Sequence, residues 1–220
     1  MESVPFREWT DEDVELTFGI KRKQSSKHLT DWVNADNTIS DRDLEDLRDA
    51  HATARLKIDS WNENTLKFLF ISRLITMVNF ADSEAYNAFT EQTLTVEDEG
   101  IMARGNVDFM VATGRLKARA PYYLLHEYKP EKYFADPRGQ LLVAMLAADR
   151  RNREEGKILP IYGNYIMERF WFPVVFYNNE YCVGDPLTST DFEQLKTIYR
   201  TLLYVKEHIE QLISIDENNS

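Results

Sequence analysis

Gly105-Asn106-Val107-Asp108-Phe109-Met110-Val111 and Tyr123-Leu124-Leu125-His126-Glu127-Tyr128-Lys129-Pro130 decide how this chain is read. Both are apolar runs of strand type with charge inside them. The first strand, Val107 to Thr113, holds an aspartate, Asp108. The second, Tyr122 to Tyr128, has Glu127 near its end, with Lys129 two positions further on. Strand side chains repeat with period two, so Glu127 and Lys129 point to the same face. If the two strands pair, with backbones about 4.8 Å apart, Asp108 and Glu127 converge. Both faces of the second run are rich in large apolar residues, as in a strand covered on both sides. Charges in such a strand are costly unless paired or bound to a metal. The plainer alternative is a surface hairpin whose wet face carries Asp108, Glu127 and Lys129 as cross-strand ion pairs.

Working outward, the basic link Gly114 to Ala120 is hairpin-like. Gly100 to Gly105 reads as a turn region, and 91–98 as a strand by alternation of Thr93, Thr95 and Val96. Residues 41–58 read as a helix with Asp41 and Asp43 in its first turn, where negative charge suits the dipole. A stronger helix covers 61–79. Ser60-Trp61-Asn62-Glu63 is a capping-box pattern, and Leu66, Leu69, Phe70, Leu74, Met77 and Val78 follow at helical spacing. Asp136-Pro137 opens another helix, running to Asn152, with a preferred cap residue and a proline at the first helical position. Ile158–Met167, Phe170–Tyr177 and Tyr181–Val183 read as strands, with Asn178-Asn179 as a turn. A last helix covers 189–213. Helices, a strand pair, a helix and more strands predict a mixed sheet with helices on its faces. The organisation is an irregular N-terminal segment (1–40) anchored by Trp9 and Trp32, one domain (41–213), and a disordered tail (214–220).

The chain has 220 residues, enough for one sizeable core. Its single cysteine, Cys182, excludes an intramolecular disulfide and reads as a small buried hydrophobe. Four histidines and one cysteine exclude a zinc ribbon or finger. Met1-Glu2-Ser3-Val4-Pro5 has neither the basic start nor the apolar core of a signal peptide, and the longest apolar run, Phe170 to Phe176, is too short to span a membrane. The expected compartment is the cytoplasm, with no membrane partner. The net charge of −11 argues against a general nucleic-acid coat, because phosphate neutralisation needs lysine and arginine. It does not exclude a nuclease, since metal sites are built from carboxylates and the ion reverses the local field. Any basic surface is local: Lys21-Arg22-Lys23 with Lys27, Arg115-Lys117-Arg119, or Arg150-Arg151-Arg153.

Two carboxylates and a backbone carbonyl, that of Tyr128, suit the hard-oxygen preference of Mg²⁺ and leave room for waters and a phosphate oxygen. A water near Lys129 is then placed for attack on phosphorus. Gly-x-x-Asp-Phe, a hairpin, and Glu-x-Lys ending an apolar strand resemble the PD-(D/E)XK nuclease signature, with Val107 where the family often also lacks its proline. Trp61-Asn62-Glu63-Asn64-Thr65 opening an apolar helix resembles the helix before the core sheet in type I restriction and related nucleases. There a glutamate often completes the metal site, and Glu63 matches it. Gly139-Gln140-Leu141 resembles the glutamine-bearing helix of the RecB-like branch, where Gln140 would orient the water or the lysine, or contact substrate.

The resemblance covers residues 60 to 150. It implies an α/β, restriction-endonuclease-like fold with a central mixed β-sheet flanked by α-helices. It implies a Mg²⁺- or Mn²⁺-dependent nuclease, endo- or exo-acting, that hydrolyses phosphodiester bonds in nucleic acid, DNA ahead of RNA; a homodimer is compatible with it. The implied catalytic set is Asp108, Glu127, Lys129, Glu63 and Gln140, and the implied metal ligands are Asp108, Glu127, Tyr128 and Glu63. The alternative is a catalytically inactive member of the same fold, serving as a protein-interaction or nucleic-acid-binding module. The acidic charge and the lack of a visible DNA-binding domain motivate it, and Pro130-Glu131-Lys132 adds a further acid beside the site. The auxiliary residues also have plainer roles. Glu63 fits the capping box, Gln140 a solvated first turn, and His126 the core. The aromatics Tyr162, Tyr165, Phe170, Trp171, Phe172, Phe176 and Tyr177 read as sheet core.

Overall fold

The computed structural model describes residues 2–80, 85–98, 100–129 and 137–218. Among these, nine strands form one sheet: β1 (Glu2–Pro5), β2 (Lys21–Lys23), β3 (Asn87–Asp98), β4 (Ile101–Thr113), β5 (Arg119–Lys129), β6 (Ile161–Met167), β7 (Phe170–Tyr177), β8 (Glu180–Val183) and β9 (Leu187–Thr188). The order is β1-β4-β5-β6-β7-β8-β2, with β3 also on β4 and β9 also on β7. The hairpins are antiparallel, as short connections require. The β5–β6 pair is parallel, and parallel neighbours need a crossover. Here the crossover contains helix α6 (Pro137–Glu154). The protein is therefore α/β with a mixed central sheet flanked by helices.

Six further helices complete the layers: α1 (Asp11–Phe18), α2 (Lys27–Val33), α3 (Asp41–Lys57), α4 (Glu63–Leu66), α5 (Ser72–Val78) and α7 (Phe192–Asn218). One face of the sheet packs on α1 and α6, around Phe18, Leu125, Leu142 and Met145. The other packs on α2, α3, α4, α5 and α7, around Trp32, Leu47, Phe70, Trp171 and Leu202. Helix α6 is buried almost all round, which suits its near-continuous apolar run. The N-terminal segment crosses α6 closely: a Cβ at Gly139 would stand 2.2 Å from the Trp9 carbonyl oxygen.

Three expectations change. The segment 1–40 is not irregular throughout: among its described residues β1 pairs parallel with β4 and β2 with β8, at distant places in the sheet, and α1 and α2 are helices. Trp9 and Trp32 are nevertheless buried anchors, and the Trp32 indole N–H donates to the Thr201 carbonyl at 2.8 Å. Of the Gly100 to Gly105 region only Gly100 is a turn residue, with φ of 91°, since β4 begins at Ile101 and pairs with both β1 and β3. Gly105 is there for packing: a Cβ would meet Phe6 Cγ at 2.5 Å. The last helix starts at Phe192 and runs through Asn218, so 214–218 of the expected tail are helical. Pro137 opens α6 as read, while its proposed cap Asp136 lies outside the described residues. No helix among the described residues is long and apolar enough to cross a membrane.

Trp32→Ala removes a fully buried indole and its hydrogen bond, and is expected to destabilise the protein by about 3–5 kcal/mol in urea unfolding. A loss below about 1 kcal/mol would contradict the anchoring of the N-terminal segment.

Candidate active site

The two strands that carry the charges pair as Phe109↔His126, Met110↔Leu125 and Val111↔Leu124. Extending this register by one step sets Asp108 opposite Glu127. There the ladder stops. The Tyr128 amide donates not to a β4 carbonyl but to Asp108 Oδ2, at 2.8 Å. Strand β5 meanwhile continues along β6, pairing Glu127↔Tyr165, Tyr128↔Ile166 and Lys129↔Met167. The sheet forks, and the Asp108 carboxylate fills the fork.

The backbone of β4 also turns over at this point. Ala103 and Val107 pack on the α6 side, whereas Phe109 and Val111 pack on the α7 side. Across the ladder, between the pairs Thr90↔Phe109 and Gln92↔Val107, Glu91 has φ of 51°. A positive φ at a residue other than glycine marks a local distortion of the strand. On β5, Leu125 packs on the α6 side and Leu124 and Tyr128 on the other. Period two then gives Glu127 and Lys129 the α6 side.

Asp108 Oδ1 accepts from the Lys67 ammonium at 2.7 Å, and the same ammonium pairs with Glu63 Oε1 at 2.6 Å. It also stands 5.4 Å from the centroid of the Tyr128 ring. Burial pulls the Lys67 ammonium towards neutrality, but the two carboxylates outweigh it, so its pKa lies above the ordinary lysine value. Lys129 pairs with Glu127, and both are buried. Burial pushes the Glu127 carboxyl up to about 8, with further upward pressure from the charge of Asp108 and from a side-chain hydrogen bond between the two acids. Lys129 opposes both effects without cancelling them. The result is one continuous chain of charge: Glu63, Lys67, Asp108, Glu127, Lys129.

Asp108, Glu127 and Lys129 are thus brought together as read. Glu63 reaches them only through Lys67, which the sequence reading missed; the available signal was the i,i+4 spacing of Glu63 and Lys67. The capping box does not form. Ile58–Ser60 is a 3₁₀ turn in which the Ser60 hydroxyl donates to the Lys57 carbonyl at 2.7 Å. Asn62 caps α4 instead, its Oδ1 accepting from the Thr65 amide at 2.9 Å. That leaves Glu63 free of capping duty and able to pair with Lys67.

Gln140 is buried in the first turns of α6, and its Oε1 has no hydrogen-bond partner among the described residues. No hydrogen bond among the described residues ties it to the Asp108–Glu127 pair. His126 is fully buried on the opposite face, and burial pushes its imidazole down to about 3. A neutral ring fits its partners: the Asn164 amide donates to Nε2 at 3.2 Å, and Nδ1–H donates to the Tyr128 hydroxyl at 3.2 Å. His126 is a core residue. Residues 130–136, with the extra acid Glu131, lie outside the described residues.

The described residues contain no group of three or more His, Cys, Asp or Glu side chains arranged to hold a metal ion. The acidic core of the site is the pair Asp108 and Glu127, because Lys67 stands between Glu63 and Asp108. Several residues of the basic groups are already engaged by acids: Lys23 with Glu180, Lys27 with Asp31, Arg150 with Asp98 and Arg153 with Asp149. No family model matches the chain, and a search of curated proteins returns no match.

A carboxyl whose pKa is about 8 folded, against an ordinary 4.5, binds its proton more tightly in the folded state. Its contribution to stability is full below the ordinary value and is lost as pH rises through the folded one. Between about pH 5 and pH 8, wild-type protein is therefore expected to lose unfolding free energy relative to Glu127→Gln, measured by urea unfolding across that range. Parallel pH profiles for the two proteins would refute the raised value.

Proposed function

We propose that the chain is a divalent-metal-dependent phosphodiesterase of the PD-(D/E)XK type, with a restriction-endonuclease-like fold, acting on nucleic acid, DNA ahead of RNA, in the cytoplasm. One observation carries the proposal. Two carboxylates, Asp108 and Glu127, are in contact at a fork between strands, and a buried lysine, Lys129, sits on one of them. Burial first, and the neighbouring charge of Asp108 second, push the Glu127 carboxyl up, so two ionised acids here destabilise one another. A divalent cation relieves that repulsion, and carboxylate oxygens are the donors that Mg²⁺ and Mn²⁺ favour. The donor set therefore fits such an ion, held by Asp108, Glu127 and the carbonyl of Tyr128. When bound, the ion supplies Lewis-acid polarisation of a phosphoryl oxygen and makes nearby water more acidic.

The chain's own groups do the rest. Asp108 is fixed in direction by the Tyr128 amide and the Lys67 ammonium. Lys129 brings a positive charge to the same face as Glu127, where it orients the attacking water and meets the phosphate. Gln140, in the helix on that side of the sheet, has a buried amide oxygen with no hydrogen-bond partner among the described residues, which it would offer to the water or to Lys129. Glu63 assists through Lys67 rather than as a ligand.

A second reading has its own support. Asp108 and Glu63 share Lys67, and Glu127 has Lys129, so every acid of the cluster already has an ammonium partner without a metal. A cluster neutralised in this way suits a non-catalytic interaction module on the same fold.

Incubation with plasmid DNA and Mg²⁺ or Mn²⁺ distinguishes the two. The nuclease reading expects cleavage that a chelator abolishes, and a fall of about 10²–10⁴-fold in Asp108→Ala and in Lys129→Ala. Equal cleavage by wild type and both variants rejects it.

A further inference from the structure

We infer that Lys67 is the resident cation of the acidic cluster, a positioning residue that competes with a divalent ion for Asp108 and so sets the metal affinity of the site. The inference rests on the metal-site reading above and adds a regulator that neither the sequence pattern nor the Asp108–Glu127 pair contains.

The ammonium of Lys67 lies between two carboxylates, 2.6 Å from Glu63 Oε1 and 2.7 Å from Asp108 Oδ1. It is largely shielded from water, with the Tyr128 ring beside it. It thus occupies the kind of place that a metal ion occupies: a partly desolvated pocket walled by hard oxygens and an aromatic face. The charges of the cluster leave the same impression. Glu63, Asp108 and Glu127 supply three negative charges when ionised, and Lys67 and Lys129 return two positive ones. A divalent ion on Asp108 and Glu127 would add two more positive charges while Lys67 still held the same Asp108 carboxylate. Like charges sharing one carboxylate in a place of reduced dielectric repel strongly.

The helix that presents Lys67 is built for this contact. It passes from α-helical to π-helical geometry at Lys67 itself, over Lys67–Ile71, before resuming as α5. The widened turn keeps Leu66, Phe70 and Ile71 in the core and leaves Phe68 and Leu69 exposed. Such turns are uncommon and gather at functional places in helices. When a divalent ion enters, Lys67 has somewhere to remain. Glu63, one helical turn earlier, and the Tyr128 ring keep it, so only its bond to Asp108 is given up. Competition is then local and reversible.

The test is Mn²⁺ binding to the full chain by isothermal titration calorimetry, without nucleic acid. Lys67→Met keeps the length of the side chain and removes its charge. It is expected to bind Mn²⁺ about tenfold more tightly than wild type, the scale on which one neighbouring charge moves ionic equilibria. Lys67→Arg keeps the charge and is expected to stay at the wild-type value. If circular dichroism shows Lys67→Met to be misfolded, Lys67→Gln takes its place. Binding seen only in the neutral variants supports the inference as well. Unchanged or weaker binding in the neutral variants, with wild type binding normally, overturns it and leaves the metal site standing. No binding in any of these proteins, Asp108→Asn included, overturns the metal site and the inference with it.

Discussion

The hydrogen bond from the Tyr128 amide to the Asp108 carboxylate is the constraint on which the rest of the site depends. In an ordinary antiparallel pair that amide would find a carbonyl on the neighbouring strand. Here β5 leaves β4 for β6, and a buried amide without a partner would cost roughly 1–3 kcal/mol. Asp108 supplies the acceptor. In doing so it is locked in direction where β5 parts from β4, with Glu127 across the fork and Lys67 reaching in from the π turn that follows α4. The strand geometry and the site chemistry are therefore the same feature.

Electrostatics decides what the cluster can tolerate. Opposite unit charges about 4 Å apart gain about 4 kcal/mol at an effective dielectric of about 20, and like charges lose as much. Glu127 feels both, one from Lys129 and one from Asp108, on top of its burial. With its carboxyl pushed up to about 8, Glu127 can take a proton at neutral pH at little cost. Truncating Lys129 therefore need not strand a buried charge, because the acid neutralises instead. The fold can survive the loss of a group that chemistry would miss. The same reasoning separates His126 from the site. With its imidazole pushed down to about 3 and both ring nitrogens engaged, it stays neutral and belongs to the core.

Much of this was legible in the chain. The apolar runs around Asp108 and Glu127 are strands and do pair, and period two sets Glu127 and Lys129 on one face. The turn Asn178-Asn179 has φ of 54° and 61°, the left-handed pair that a tight hairpin demands. What escaped the reading depends on distant partners. Lys21–Lys23 has no alternation and becomes a strand only because β8 runs beside it. Gly105 looks like a turn residue, yet it lies in β4 with Phe6 pressed on it. Ser60 and Asn62 are both good caps, and the 3₁₀ turn that ends at Ser60 settles the contest for Asn62. Lys67 is the most instructive case. Beside Glu63 it reads as one more helix-surface ion pair, and only the fold brings it to Asp108. Gln140 reads as a solvated first-turn residue or a site residue, and only the fold shows it buried, its amide oxygen without a partner among the described residues.

The central claim is that Asp108 and Glu127 share one divalent ion. A crystal structure of the full chain grown with Mn²⁺, with data collected at the manganese edge, addresses it directly. The account predicts a single anomalous peak within coordination distance, about 2.1 Å, of a carboxylate oxygen from each of the two residues. A map with no peak between them at saturating Mn²⁺, and Lys67 still seated on Asp108, would contradict it.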